Sequence, residues 1–259
     1  YDFSEKSLEK INEQTLLVAF SFMSNVSGRI LPAQEVIHRA REKECLILGD
    51  ACQFIAHHPL SVKEFDVDFL VFSGHKMFGP TGIGVLYGKE SVLKNMPPLR
   101  YGGDMIEYVY EQESIYLEAP QRFEAGTPNI DGVVGLGAAV DFILDYGQER
   151  MQSELKQLRE FALQELKKVD HIRILEEEAE AGPVISFLVD EVHPHDVASI
   201  LDQGDICIRA GHHCAQPLMR HFNVVGSNRI SLQIYNDEKE ILYFVERLKE
   251  VRRWLGYGA

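Results

Sequence analysis

The sequence predicts an α/β protein, because short apolar strands alternate with helical periods and because polar, chemically capable residues stand at the strand ends. Two places carry that reading best. Val67 to Phe72 is a run of aromatic and β-branched residues left through Ser73-Gly74, and Cys45 to Leu48 is a second apolar run ending in Asp50.

In chain order, Leu16 to Phe22 reads as a strand, Glu35 to Glu44 as a helix and Leu46 to Gly49 as a strand. Phe69 to Phe72 and Ile83 to Tyr87 follow as strands. Pro97 to Asp104 is a turn-rich connection, and Tyr108 to Arg122 reads as a hairpin or extended arm. Leu136, Val140 and Ile143 have helical spacing, and Glu149 to Val169 forms a long amphipathic helix burying Leu155, Leu158, Ala162 and Leu166. Val184 to Val189 is a strand and Asp196 to Gln203 a helix stopped by Gly204. Ile206 to Ile208 and Ile230 to Ile234 are strands, and Glu238 to Leu255 is a terminal helix.

Composition bounds the function classes. The 259 residues hold 45% hydrophobic and 25% charged side chains, as a globular chain with a sizeable core does. A net charge of −14 argues against a nucleic-acid surface. Four cysteines without a paired framework suit a reducing cytoplasm. No apolar run reaches membrane-spanning length, and Tyr1 to Asn12 is too polar for a signal peptide, so no membrane association is expected. The run Glu176-Glu177-Glu178 reads as a solvated face.

The chemistry begins at Ser73-Gly74-His75-Lys76, a lysine in a glycine-flanked turn after a strand. In open α/β sheets, ligands bind at the carboxyl ends of strands. Asp50 ends a neighbouring strand, so one crevice receives a carboxylate and an amine. Pyridoxal 5'-phosphate requires a lysine, an acidic partner for its ring nitrogen and donors for its phosphate, and Lys76, Asp50, and Ser73 with His75 supply one of each. The plainer readings are a solvated loop lysine and a strand-end aspartate capping the next helix.

A second site is Arg209-Ala210-Gly211-His212-His213-Cys214. Positive charge near a thiol favours its thiolate, which makes Cys214 a candidate nucleophile. A buried inert cysteine competes with this, as does a zinc site of His212, His213, Cys214 and His221. Metal is the weaker reading, since adjacent histidines seldom converge on one ion and the chain has no C-x-x-C pair.

Together with Ser24-Asn25-Val26-Ser27-Gly28, Asp50-Ala51-Cys52-Gln53, Arg122 to Asn129 and Asn228-Arg229-Ile230-Ser231, these motifs resemble, in this order, the Suf-type cysteine desulfurases. These belong to the class V aminotransferase family, which also holds selenocysteine lyases. The resemblance implies a pyridoxal-phosphate transferase of fold type I, with a mostly parallel sheet in a cofactor-binding large domain at 1–137 and a smaller α/β domain at 138–259. It implies Lys76 as the Schiff-base lysine, Asp50 on the pyridinium nitrogen, and Asn25 and Gln53 near the cofactor and substrate. Ser73 and His75 would bind phosphate, and Thr127 would reach the cofactor of the other subunit of a homodimer. Arg229 would clamp the substrate carboxylate, Arg209 would stand beside the active-site loop and Cys214 would accept sulfur. L-cysteine, or L-selenocysteine in a lyase, is the implied substrate, and a Suf-type sulfur-acceptor protein the implied partner. An isolated arginine such as Arg229 is otherwise a surface residue. Family members are longer at the amino end, so the sequence is expected to lack a ring-stacking histidine, a phosphate-binding turn and early strands; a non-catalytic interaction piece is the alternative.

Overall fold

The computed structural model describes residues 5–177 and 180–257, so Tyr1 and Glu178 lie outside the described residues. Helix α1 (Glu5–Leu8) leads into strand β1 (Leu17–Ser21), helix α2 (Ala33–Glu42) and strand β2 (Leu46–Asp50). A short helix α3 (Val62–Phe65), capped where the Ser61 hydroxyl accepts from Glu64 N, precedes strand β3 (Phe69–Ser73). Strand β4 (Gly84–Gly88) closes this sheet in the order β1-β2-β3-β4. The first three strands are parallel and β4 is antiparallel. Ser21 pairs with Asp50, and Asp50 with Val71, so the three carboxyl ends share one edge.

Apolar spacing explains the packing of this sheet. Val36, Ile37 and Ala40 lie on one stripe of α2 and bury against Phe20, Phe22, Ile47 and Leu70. Under the strand starts, Asp68 is held by both terminal nitrogens of Arg41, at 2.8 and 2.9 Å, and by Ile47 N at 2.8 Å. That carboxylate fixes the entry of β3 to the start of β2.

After helix α4 (Glu90–Leu93), the expected turn-rich connection carries no helix or strand through Asp104. The expected arm is a hairpin of β5 (Ile106–Val109) and β6 (Ser114–Tyr116), which begins two residues earlier than the sequence suggested. Helices α5 (Ile130–Tyr146) and α6 (Gln148–Leu166) meet at Gly147. On α5 the buried residues are Gly132, Leu136, Ala139 and Ile143. Of the three residues at helical spacing, Leu136 and Ile143 are buried, whereas Val140 is 37% exposed and Ala139 is buried beside it. On α6 Leu155, Ala162 and Leu166 are buried as expected, and Leu158 packs partly buried beside them.

The remaining strands form an antiparallel sheet ordered β7-β8-β10-β9, from β7 (Ile172–Ile174), β8 (Val184–Val189), β9 (Arg209–Gly211) and β10 (Ser227–Ser231). Helices α7 (Pro194–Asp202), α8 (Gln216–His221) and α9 (Glu238–Trp254) complete the chain. Residues of α6, α7 and α9 bury against β8 and β10 around Phe187, which meets Phe244 edge-on at 5.9 Å. Phe187→Ala there would cost about 3–5 kcal/mol. Asp237 and Glu240 form a reciprocal capping box that starts α9.

Three boundaries differ from the sequence reading. Ile206 and Ile208 pack on the core from an irregular segment, and the strand begins at Arg209, whose backbone faces Arg229 of β10. The ladder of β10 ends at Ser231, because Leu232 N turns to Pro183 O and Gln233 N to the Asn236 side chain. The helix before them stops at Asp202, and Asp205 rather than Gly204 takes the left-handed conformation, at φ 57°. Among the described residues no helix is long and apolar enough to cross a membrane.

Candidate active site

The site grows from the shared carboxyl edge of β1, β2 and β3. Asp50 ends β2 and turns one carboxylate oxygen back onto Cys52 N at 2.9 Å, an Asx turn that fixes the side chain. The same carboxylate also acts on the Cys52 thiol. After β3 the chain enters a single 3-10 turn, Gly74–Lys76. A Cβ on Gly74 would lie 2.8 Å from Ile83 Cγ2, so only glycine lets the turn fold this close to the following segment. Met77 anchors the far side of the turn among Leu136, Ile143 and Leu155. Lys76, between these fixed points, is exposed and has no hydrogen-bond or ion-pair partner among the described residues.

The loop after β1 joins this edge to the antiparallel sheet. Gly28 has φ +76°, and a Cβ there would stand 2.7 Å from Val184 O. Ser186 Oγ donates to Val26 O at 2.6 Å, Arg229 Nη1 donates to Asn25 O at 2.9 Å, and Asn25 Nδ2 donates to His213 O at 2.7 Å. Asn25 therefore ties the loop that follows β1 to both β10 and the segment that carries Cys214.

That segment is tightly specified. His213 and Cys214 are both left-handed, with φ 54° and 59°, a costly pair for residues with side chains. His213 is buried, and its Nε2 lies 3.0 Å from Ser227 O and 2.9 Å from Ser227 Oγ. The carbonyl can only accept, so Nε2 carries the ring proton. Burial, and then Arg229, hold the His213 pKa down to about 4, which keeps the ring neutral. The outcome is an exposed Cys214 thiol with Arg209 Nη2 at 3.5 Å.

Asn25, Asp50, Gln53, Lys76 and Cys214 line one cavity of about 880 Å³. Ser73 is set just behind that wall, where its hydroxyl meets Cys52 Sγ at 3.7 Å. His75 and Thr127 are exposed and are not on the cavity wall. Arg209 faces Cys214 from the other side, in a neighbouring hollow with His212 and His213. Arg229 stands behind Asn25; burial, then the charge of Arg209, push its pKa below the usual arginine value. Of the zinc alternative's residues, His213 has its Nε2 engaged by Ser227 and its Nδ1 buried; among the described residues no group of three or more His, Cys, Asp or Glu side chains is placed to hold an ion.

Sequence reasoning gave no role to Cys52, although it follows Asp50 by two residues and lines the same cavity. Burial, then the Asp50 hydrogen bond, raise its thiol pKa above the ordinary value, which makes it a poor nucleophile beside Cys214. The anchoring of His213 by Ser227 was also missed, and nothing in the sequence spacing signals it.

Comparison with known proteins places this geometry. A "Probable cysteine desulfurase" of Halalkalibacterium halodurans is 41% identical over 247 residues, covering 95% of this chain and 61% of the relative. The crystal structure of the cysteine desulfurase CsdA from Escherichia coli superposes with a TM-score of 0.91 at 34% identity, covering 95% of this chain and 61% of that one. A mutant of the protein C-DES with glycine covalently linked to its PLP cofactor superposes at 0.82 with 26% identity, covering 96% of this chain and 64% of that one. The chain thus spans about three fifths of the length of the curated relatives it matches. The model of the family described as aminotransferase class-V matches residues 2–244, and the chain belongs to that family.

Proposed function

We propose that the protein is a pyridoxal-phosphate-dependent cysteine desulfurase of the Suf type, moving sulfur from L-cysteine onto Cys214 and then to an acceptor protein. The observation that carries this reading is that Asp50, Lys76 and Cys214 line one cavity. Relatives bearing the name cysteine desulfurase support it, as does the Arg209-to-Cys214 motif.

The residues fit the cofactor on two counts. Asp50 is oriented by Cys52 N on the cavity wall at the carboxyl end of β2, and Lys76 presents an amine on the same wall that no protein carboxylate neutralises among the described residues. When bound, pyridoxal phosphate supplies an electron sink for the pair left at a substrate Cα. Asp50 would hold the proton on the ring nitrogen, and Lys76 would tether the cofactor and carry the Cα proton. Ser73 and His75 would hold the phosphate, Gln53 and Asn25 would orient the ring and the substrate, and Thr127 would serve the cofactor of a partner subunit in a homodimer. Arg229, whose Nη1 donates to Asn25 O, would receive the substrate carboxylate.

Cys214 then attacks the substrate sulfur. L-Cysteine plus the Cys214 thiol gives L-alanine plus a Cys214 persulfide, so each sulfur and proton is accounted for. The exposed, arginine-flanked position of Cys214 suits delivery to a thiol of an acceptor protein in the cytoplasm. We assign cofactor binding to a domain at 1–137 and the sulfur-accepting cysteine to one at 138–259.

The test is reconstitution with pyridoxal phosphate, followed by visible absorbance and alanine formation from L-cysteine. Lys76→Ala is expected to lose the bound-cofactor band. Asp50→Asn is expected to keep the band and to form alanine roughly a hundredfold more slowly. An unchanged band in Lys76→Ala, or wild-type alanine formation in Asp50→Asn, overturns the assignment.

A further inference from the structure

A second cavity, of about 290 Å³, lies between α6, the turn after β2 and the segment leading into β8. It shares no lining residue with the cavity that holds Lys76 and Cys214. Its polar walls are uneven. Arg159 of α6 is only 5% exposed, yet among the described residues its guanidinium has no hydrogen bond and no ion pair, and its Nε is fully covered without a partner. Glu160 and Glu177 attract it without forming an ion pair, so its burial is poorly compensated.

His57 and His58 line the same space. Gln152 Nε2 lies 2.9 Å from His58 Nδ1, and an amide nitrogen can only donate, so the neutral His58 ring carries its proton on Nε2. That Nε2 is buried with no acceptor. The Gln233 amide nitrogen meets His57 Nδ1 in the same sense, at 3.5 Å, placing the second ring's proton on Nε2 as well. Burial holds the pKa of both rings down to about 4, so they are neutral donors at neutral pH. The walls thus offer donors from three side chains, two of them, Arg159 Nε and His58 Nε2, buried without a partner.

From this imbalance we propose that the cavity is a binding site for a small carboxylate, held by Arg159 with the help of His58 and His57. A planar guanidinium matches the two oxygens of a carboxylate. The mouth sets the class further: Lys156 stands there with Glu160 and Glu180, all exposed. Two glutamates at the entrance oppose a second negative charge, so a monocarboxylate or an α-amino acid, whose ammonium the glutamates can pair with, is favoured over phosphate. The site is independent of the cysteine desulfurase reading.

The experiment is a titration of the isotopically labelled chain with propionate, with inorganic phosphate as the second probe, followed by NMR. Saturable shifts of the Arg159 Nε–H and of the Leu155 and Lys156 amides are expected, with phosphate at least about tenfold weaker, equivalent to ~1.4 kcal/mol. Arg159→Met is expected to abolish the saturable shifts. His58→Phe, which keeps the ring stacked on Phe54, is expected to weaken propionate severalfold and serves if Arg159→Met fails to fold. Shifts confined to the Cys214 loop, no saturation, phosphate binding as tightly as propionate, or full propionate affinity in the substituted chains would each overturn the site.

Discussion

Arg209 Nη2 stands 3.5 Å from Cys214 Sγ, while Asn25, 188 residues from His213, holds the carbonyl just before that cysteine. The thiol is thus exposed but not free to wander: its charge partner comes from β9 and its backbone is pinned by the loop after β1.

Arg209→Ala therefore slows alkylation of Cys214 by iodoacetamide near pH 7. The pair is exposed, so the loss is about fivefold, equivalent to ~1 kcal/mol. Raised salt should narrow the difference in the wild-type direction only, because screening weakens the guanidinium and leaves alanine unaffected. Equal rates in the two proteins would remove Arg209 from the support of the thiol.

Asn25→Asp replaces a donor with an acceptor opposite the His213 carbonyl, leaving two acceptors face to face. The expected result is a loss of about 1–3 kcal/mol in urea unfolding, together with altered Cys214 alkylation. Asn25→Gly should show a smaller stability loss, since it removes the donor without adding the repulsion.

Acid should destabilise the protein in a defined window. His57, His58 and His213 titrate at about 4 in the fold against an ordinary 6.5. Between those values the unfolded chain binds protons that the folded chain refuses, so stability is full above the upper value and is lost as pH falls toward the lower one. Each ring contributes roughly 3 kcal/mol at full effect. His213→Gln should flatten the slope of unfolding free energy against pH by about one third. Its stability near neutral pH should fall as well, through the lost Ser227 contact.

Asp68 tests the fold apart from the site. Burial alone would raise its pKa, but the Arg41 hydrogen bonds and Ile47 N–H prevail and hold it below the usual carboxylate value. Asp68→Ala leaves the Ile47 N–H without its acceptor while Arg41 keeps Asp66, at a cost of about 1–3 kcal/mol measured by urea unfolding. Pyridoxal phosphate absorbance should persist in whatever fraction stays folded.

Much of this architecture was legible because strand ends and helix stripes leave local marks. Asp50 and Lys76 could be placed together from strand order alone, and the structure puts both on one cavity wall. Periodicity reads burial, however, and not ladders: Ile206 and Ile208 are apolar because they pack on the core, whereas the strand itself uses Arg209, Ala210 and Gly211. On α5 the spacing of Leu136, Val140 and Ile143 marks the helix, but the buried stripe runs through Ala139, which the larger apolar residues do not signal. The tie from Asn25 to His213 had no signature at all, for a hydrogen bond to a backbone carbonyl constrains only one of its two residues. The same holds for Ser227 and the buried His213 ring.

In the proposed reaction Cys214 takes the sulfur while Asp50 and Lys76 serve the cofactor. That reaction is tested most directly by a single turnover of the reconstituted protein with sulfur-labelled L-cysteine, followed by mass spectrometry of the Cys214 peptide. The account predicts one added sulfur on Cys214 and one alanine released, with Cys214→Ser keeping the cofactor absorbance but gaining no sulfur. Label on Cys52 or Cys207 instead, or undiminished sulfur transfer in Cys214→Ser, would contradict it.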